Sequence, residues 1–451
     1  MRLSLAALLA LSIAGLPCFA AAEGLKEALA QAYMTSPDLR AARAELRAVD
    51  EQVPQARSGY LPSVTASGSV DQTFESTDPS NFTQGVVERN GRSVNVQLTQ
   101  PLYRGGRTMA AVRQAKLQVR AQRAILRSVE QQLLLDGVTA YMDVVADQAV
   151  LELNINNENV LSRQLEAAQD RFRVGEVTRT DVSQAESRLA GALASRVQAA
   201  GDLQSSIAQY ESTIGTIPGQ VTQPELDVVL PQTRQQAIDI ALDRNPDLEA
   251  ARAQEAAARE GIDLAFGEFL PTLDLVGQSS RSFDGSPFFD SQRTDRIVAQ
   301  VNIPLYQAGS VSAQTRSAKQ SASQALADVE AAMRVVRENV IAAWEQLQSV
   351  RASIEAFEAQ VVASEIALEG VRQEAMVGSR TTLDILDAEQ EFLNAQVDLV
   401  TAKRNEVVAV FTLLSAIGQL NAKQLDLAVD VYDPNAYYER VDGKIFGTGI
   451  D

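Results

Sequence analysis

The stretch Pro37-Asp38-Leu39-Arg40-Ala41-Ala42-Arg43 returns 209 residues later as Pro246-Asp247-Leu248-Glu249-Ala250-Ala251-Arg252. The same offset carries Leu61-Pro62 onto Leu270-Pro271. Further on the offset is 203: Pro101-Leu102-Tyr103 meets Pro304-Leu305-Tyr306, Val174-Gly175 meets Val377-Gly378, Asp181 meets Asp384, and Ile214-Gly215 meets Ile417-Gly418. The six-residue difference falls between the two prolines of each half, where a surface loop tolerates a change of length. The 451 residues therefore read as a tandem duplication of a unit far longer than a solenoid repeat. The units span residues 23–215 and 234–428, joined by a linker at 216–233 (Pro218, Pro224, Pro231) and followed by a tail at 429–451.

Each unit reads as helix, two strands, long helix, turn, helix. The strand signal is alternation: Val94, Val96 and Leu98 face one way and Asn95, Gln97 and Thr99 the other. Ile297, Ala299, Val301 and Ile303 alternate with Gln300 and Asn302 in the same manner. Val64 to Phe74 and Thr272 to Gln278 are the weaker partners, and 75–92 and 284–295 read as polar surface loops. The flanking helices carry a seven-residue apolar period, through Val112, Val119, Leu126, Leu133 and Ala140 and again through Ala322, Val329, Val336, Ala343, Val350 and Phe357. That period supercoils helices left-handedly, although an ordinary bundle shows it too.

Length separates the two. Residues 105–174 contain no Pro and give a rod of roughly 105 Å at ~1.5 Å per residue, while 23–58 and 178–215 give about 54 and 57 Å. Two short helices laid end to end thus match one long one, and 310–376 against 234–267 and 380–418 repeats the relation. Four strands cannot close a membrane barrel, for which about eight is the minimum. They must pair between subunits or remain an open sheet, and both a dimer and a trimer satisfy the even-number rule.

Composition removes other functions. There is no His, and the one Cys, Cys18, lies within an apparent leader, so no imidazole metal site, no Ser-His-Asp or Cys-His site and no disulfide is expected in the mature chain. The net charge of −18 argues against a nucleic-acid binder, and no Gly-x-x-x-x-Gly-Lys-Ser/Thr run occurs. A carboxylate-only enzyme is remote, because aromatics are few and no cleft-forming α/β pattern appears; the chain is expected to be no enzyme and to need no cofactor. Residues 1–22, with Arg2, an apolar run from Leu3 to Leu16 and Ala20-Ala21-Ala22, read as a secretory signal cut before Glu23 rather than a lipid or membrane anchor. Downstream the longest apolar run, Val407 to Ile417, is too short to span a bilayer as a helix.

The set of features resembles the TolC family of outer-membrane exit ducts: the duplication, the Leu-Pro lead into each hairpin, the Pro-Leu-Tyr-x-x-Gly exits (Pro101 to Gly106, Pro304 to Gly309) and two Val-Gly-x-x-x-x-x-Asp turns. The resemblance covers the mature chain to about residue 428. It implies a mainly α fold with a membrane β-barrel portion, in which three protomers share a twelve-stranded barrel continued by a long α-helical tunnel. An equatorial belt is implied at the linker and the C-terminal region. The implied location is the Gram-negative outer membrane, in contact with its lipid and extending into the periplasm.

Two turns are the candidate site. Taken alone, Val174-Gly175 and Val377-Gly378 are capped helix–turn–helix tips, and Asp384 and Asp387, three apart, are one acidic helix face. By resemblance the tips form the periplasmic entrance and dock an adaptor. Asp384 and Asp387 match the aspartates of the entrance constriction, where three copies crowd their charges, raise some of their pKa values and favour cations, with no dedicated metal site. Arg380 matches the arginine of the closing lock, with Thr180 and Asp181 as its partner segment. The family's lock tyrosine is here Ala375. The reading is a homotrimeric duct for type I protein secretion, driven by an inner-membrane ABC transporter or proton-driven pump through a periplasmic adaptor. Multidrug efflux is the alternative, and a secreted coiled-coil rod or adhesin without a pore is the reading of another class.

Overall fold

The computed structural model describes residues 24–77, 85–225, 228–286 and 289–450; the leader at 1–22, with Cys18, lies outside them. The helices are α1 (Leu25–Thr35), α2 (Pro37–Asp50), α3 (Gln52–Arg57), α4 (Arg107–Arg173), α5 (Arg179–Ile214), α6 (Arg234–Arg244), α7 (Pro246–Phe266), α8 (Ser310–Met376), α9 (Thr382–Ala416) and α10 (Ala436–Val441). The strands are β1 (Ser63–Thr77), β2 (Gly85–Arg104), β3 (Thr272–Ser286) and β4 (Phe289–Asn302). With 67 residues each, α4 and α8 run ~100 Å.

The continuous helices expected over 23–58 and 234–267 are broken. Ser36 leaves the helical region, accepts from the Leu39 N–H at 3.2 Å and places Pro37 at the first position of α2. Asn245 does the same before Pro246, its Oδ1 accepting from Asp247 and Leu248. A residue before Pro is disfavoured in the α conformation, so both breaks sit where the repeat begins. The breaks also make the end-to-end joints. Thr35 Oγ1 donates to Ile214 O at 2.7 Å, and Asn245 Nδ2 donates to Ala416 O at 3.1 Å, which satisfies last-turn carbonyls of α5 and α9. In this way α2 and α5 share the length of α4, and α7 and α9 that of α8.

The strands form one antiparallel sheet in the order β1-β2-β3-β4. Much of the expected loops at 75–92 and 284–295 is strand, since pairing runs out to Thr77↔Gly85 and Ser286↔Phe289. The ladder is made by backbone groups, so polar side chains prolong it without any apolar signal. One face carries the rung Val64, Leu98, Gly277 and Ile297; the next rung, on the other face, carries Thr65, Gln97, Gln278 and Arg296. That second face is cross-bonded, Arg296 to Gln278 at 2.9 Å and Gln278 to Asn95 at 3.0 Å. The sheet itself joins the two units through β2 and β3, and the outer edges of β1 and β4 have no partner strand among the described residues.

The core lies mid-length, where α1, α6 and the linker wrap the long helices. Leu29, Leu134, Tyr141, Tyr210, Val340, Leu347, Val410 and Leu413 are buried there. Tyr141 Oη donates to Thr222 O at 2.8 Å and accepts from its N–H at 3.1 Å, tying the linker to α4. The tail, which carried no role in the sequence, folds back over the first unit. Tyr432 N–H donates to Tyr33 Oη at 3.2 Å, Tyr437 Oη to Glu51 Oε1 at 2.7 Å, and Arg57 Nη1 to Asp442 O at 2.7 Å.

Candidate functional site at the hairpin tips

Each long helix ends in the same closed turn. Glu176 N–H donates to Arg171 O at 2.9 Å, and Ser379 N–H to Glu374 O at 3.0 Å, across glycines at φ +81° (Gly175) and +80° (Gly378). A Cβ is strained at such φ values, which is why the turn repeats Gly. Val174 and Val377 beside them are 71% and 80% exposed, so the tips present apolar side chains that the protomer does not cover.

The next helix opens on a reciprocal cap. Thr178 Oγ1 accepts from the Asp181 N–H while Asp181 Oδ2 accepts from the Thr178 N–H at 2.8 Å; Thr381 and Asp384 repeat the arrangement at the same distance. Asp384 Oδ2 accepts from the Thr381 N–H and, also at 2.8 Å, from the Thr381 hydroxyl, and these two bonds hold the carboxyl below the usual carboxylate range, aided by Arg380. Within one protomer that direction is opposite to the one like-charge crowding gives.

The expected lock is not formed inside the protomer. Arg380 Nε instead holds Glu374 Oε2 at 2.8 Å across its own turn, Asp181 is engaged in its cap, and Thr180 lies exposed on the first turn of α5. The cap satisfies the helix's own orphan N–H groups and so competes for the carboxylate that a lock would use. The two tips are joined one to two turns further in. Arg188 Nη2 of α5 donates to Asp387 Oδ1 of α9, and Leu386 packs with Leu161, Leu189 and Ala192. Arg372 meets the buried Glu389 at 2.5 Å within the second hairpin. Sequence reasoning missed Arg188, Glu374 and Glu389. Only Glu374 left a signal, an acid six residues before Arg380 across a Gly turn.

Paired long-helix hairpins beneath a four-stranded sheet, whose outer edges meet no strand among the described residues, are the architecture of an outer-membrane channel protomer. The outer membrane efflux protein model matches residues 28–216 and 237–419, and the chain belongs to that family, of which TolC is a member. The outer membrane efflux protein BepC of Brucella suis is 36% identical over 95% of this chain and 92% of its own. The outer membrane protein TolC of Escherichia coli is 29% identical over 94% and 88%, and the proteases secretion protein PrtF of Dickeya chrysanthemi 26% over 90% of each. The solved structure of CusC superposes with a TM-score of 0.78 at 18% identity, covering 88% of this chain and 92% of the other, which shows the shared fold. The protein is an outer-membrane efflux or secretion channel of the kind used by tripartite systems, and family and fold are those of channels rather than enzymes.

Proposed function

We propose that the chain is the exit duct of a tripartite exporter, working as a homotrimer whose twelve strands close one barrel. The carrying observation is the sheet: towards its helix end one face bears Val64, Leu98 and Ile297 and the other the cross-bonded Gln278 and Arg296, and the outer edges of β1 and β4 meet no partner strand among the described residues. Free edges of that kind demand a partner, and pairing β1 of one copy with β4 of the next supplies it. Residues 216–233 and the C-terminal region form the equatorial belt of this assembly, between repeats at 23–215 and 234–428. Val174, Gly175, Val377 and Gly378 are the surface for a periplasmic adaptor, which couples the duct to an inner-membrane ABC transporter or proton-driven pump. Asp384 and Asp387 of three copies ring the entrance and attract cations. Arg380 and the Thr180-Asp181 segment of the other repeat form the entrance lock once Arg380 leaves Glu374 and Asp181 its cap, with Ala375 leaving that lock looser than a tyrosine would.

Small-molecule efflux is the first reading of the cargo, supported by the 36% identity to an efflux protein across nearly the whole chain. Type I secretion, the reading the sequence favours, is supported by the equally full-length match to PrtF. Cysteine pairs placed along β1 and β4 test the assembly, since Cys18 is the sole native cysteine. Oxidation should give cross-linked trimers that migrate as such in detergent; a monomer extracted into plain buffer overturns the duct. Deleting the gene separates the cargoes: dye and bile-salt sensitivity marks efflux, and missing extracellular proteins mark secretion.

A further inference from the structure

Beneath the folded-back tail lies a cavity of about 230 Å³, walled in part by Tyr33, Arg43, Arg123, Arg127, Glu130 and Tyr432. The Arg43 guanidinium lies 4.7 Å from the centroid of the Tyr33 ring and 5.1 Å from that of Tyr432. Two aromatic faces thus hold its plane. Its Nε and Nη2 edge, the fork that grips a carboxylate or phosphate with two parallel bonds, is buried and has no hydrogen-bond partner among the described residues. Arg123 is arranged alike: its guanidinium lies 5.2 Å from the Tyr438 ring centroid, and its Nε is buried and unpartnered.

The acids nearby do not fill these forks. Glu130 accepts from the Ala422 N–H at 2.8 Å, and Glu249 takes Arg127 at 2.5 Å. Asp50 is buried with both oxygens unpartnered, so it too leaves Arg43 and Arg123 unsatisfied. Burying a charged donor without an acceptor is costly, more so than for a neutral group, and two such donors lining one cavity ask for an anion. Arg123 stands sixteen residues along α4 from Arg107, ~24 Å from the sheet end of that helix, which puts lipid headgroups out of reach. The anion must come from solution, and the cavity has room for one with a few waters, each taking about 30 Å³.

We propose that this cavity binds a small soluble oxyanion, a carboxylate or a phosphate, in the Arg43 fork with Arg123 as second donor. Because Tyr432 is one of its walls, occupancy fastens the tail onto α1 and α2. The test uses the full chain as its purified detergent-solubilised oligomer, in oxyanion-free buffer with ionic strength held by sodium chloride. Inorganic phosphate and acetate are titrated separately by calorimetry and by thermal unfolding. Saturable binding of one anion per protomer, a rise in melting temperature and slower tryptic cleavage at Arg440 and Lys444 are expected, with the better of the two anions naming the chemistry. Arg43→Gln, and Arg43→Lys, which keeps the charge but loses the fork, should each weaken binding at least about tenfold. Absence of saturable binding by either anion to the native chain, or unchanged affinity in a folded Arg43 variant, overturns the proposal.

Discussion

Arg188 on α5 donates a hydrogen bond to Asp387 on α9, so an ion pair between the two repeats sits directly beside the place where they also share apolar contact. Leu386, the neighbour of Asp387, is 1% exposed and packs with Leu161 and Ala192 of the first unit. The hairpins cannot separate at this level without giving water both a desolvated leucine and two charges. A half-exposed ion pair contributes little, whereas truncating a buried leucine removes about 2–5 kcal/mol, so the leucine dominates the joint.

If the tips form the proposed entrance, Leu386→Ala should therefore loosen it more than Arg188→Ala. In planar bilayers, single-channel conductance should rise clearly for the leucine variant and slightly for the arginine variant. Equal conductance in all three proteins would remove this joint from the gate.

The reciprocal caps predict a separate outcome. Asp384→Ala deprives α9 of its first-turn acceptor, so amide exchange over residues 381–388 should accelerate, with Asp181→Ala doing the same over 178–185. The Asp384 carboxyl is held below its ordinary value of 3.8, so its contribution is present above that pH and is lost as pH falls through the lower, folded-state value. Tip protection should thus be flat from neutral pH to about pH 5 and fail only in stronger acid. Protection lost already near pH 6 would mean that crowding in the assembled ring outweighs the cap.

Asp50 behaves oppositely. Burial pushes its carboxyl up to about 6, against the pull of Arg123. A raised carboxylate stabilises the fold fully below its unfolded value near 3.8 and loses that contribution as pH rises through about 6. Asp50→Asn should accordingly raise the melting temperature by a few degrees at pH 7.5 and leave it unchanged near pH 4. A lower melting temperature at pH 7.5 would show that attraction to Arg123 outweighs the cost of burial.

The duplication, the rods and the alternating strands are all local patterns, and each is visible in residues as they stand. Pro37 and Pro246 announced the joints only as repeat markers, because a break before proline becomes an end-to-end helix joint once Thr35 and Asn245 find the carbonyls of α5 and α9. The tips were legible through Gly175, Gly378 and their capping threonines, since caps act within four residues. Arg188 and Glu389 were not, because their partners are fixed by which helix lies alongside, and a supercoiled pair sets that by packing rather than by sequence distance. The outer parts of β1 to β4 were hidden for another reason: backbone pairing continues where side chains have stopped alternating.

Gly137 tests how tightly the mid-length core is fitted. A Cβ there would stand 2.8 Å from Leu29 Cδ2, and Leu29 is 1% exposed, so its side chain must shift within a buried cluster. Alanine gains about 1 kcal/mol of helix propensity over glycine, but overpacking a filled core costs about 1–3 kcal/mol, so the clash should win. Gly137→Ala should lower the melting temperature, and Gly137→Val should lower it further. Adding Leu29→Ala to Gly137→Ala should cost less than the two single changes together, because the new methyl enters the space the leucine vacates. Strict additivity would mean that α1 moves aside as a unit, and the close crossing of α1 over α4 would then not be what holds the first unit's short helix against the rod.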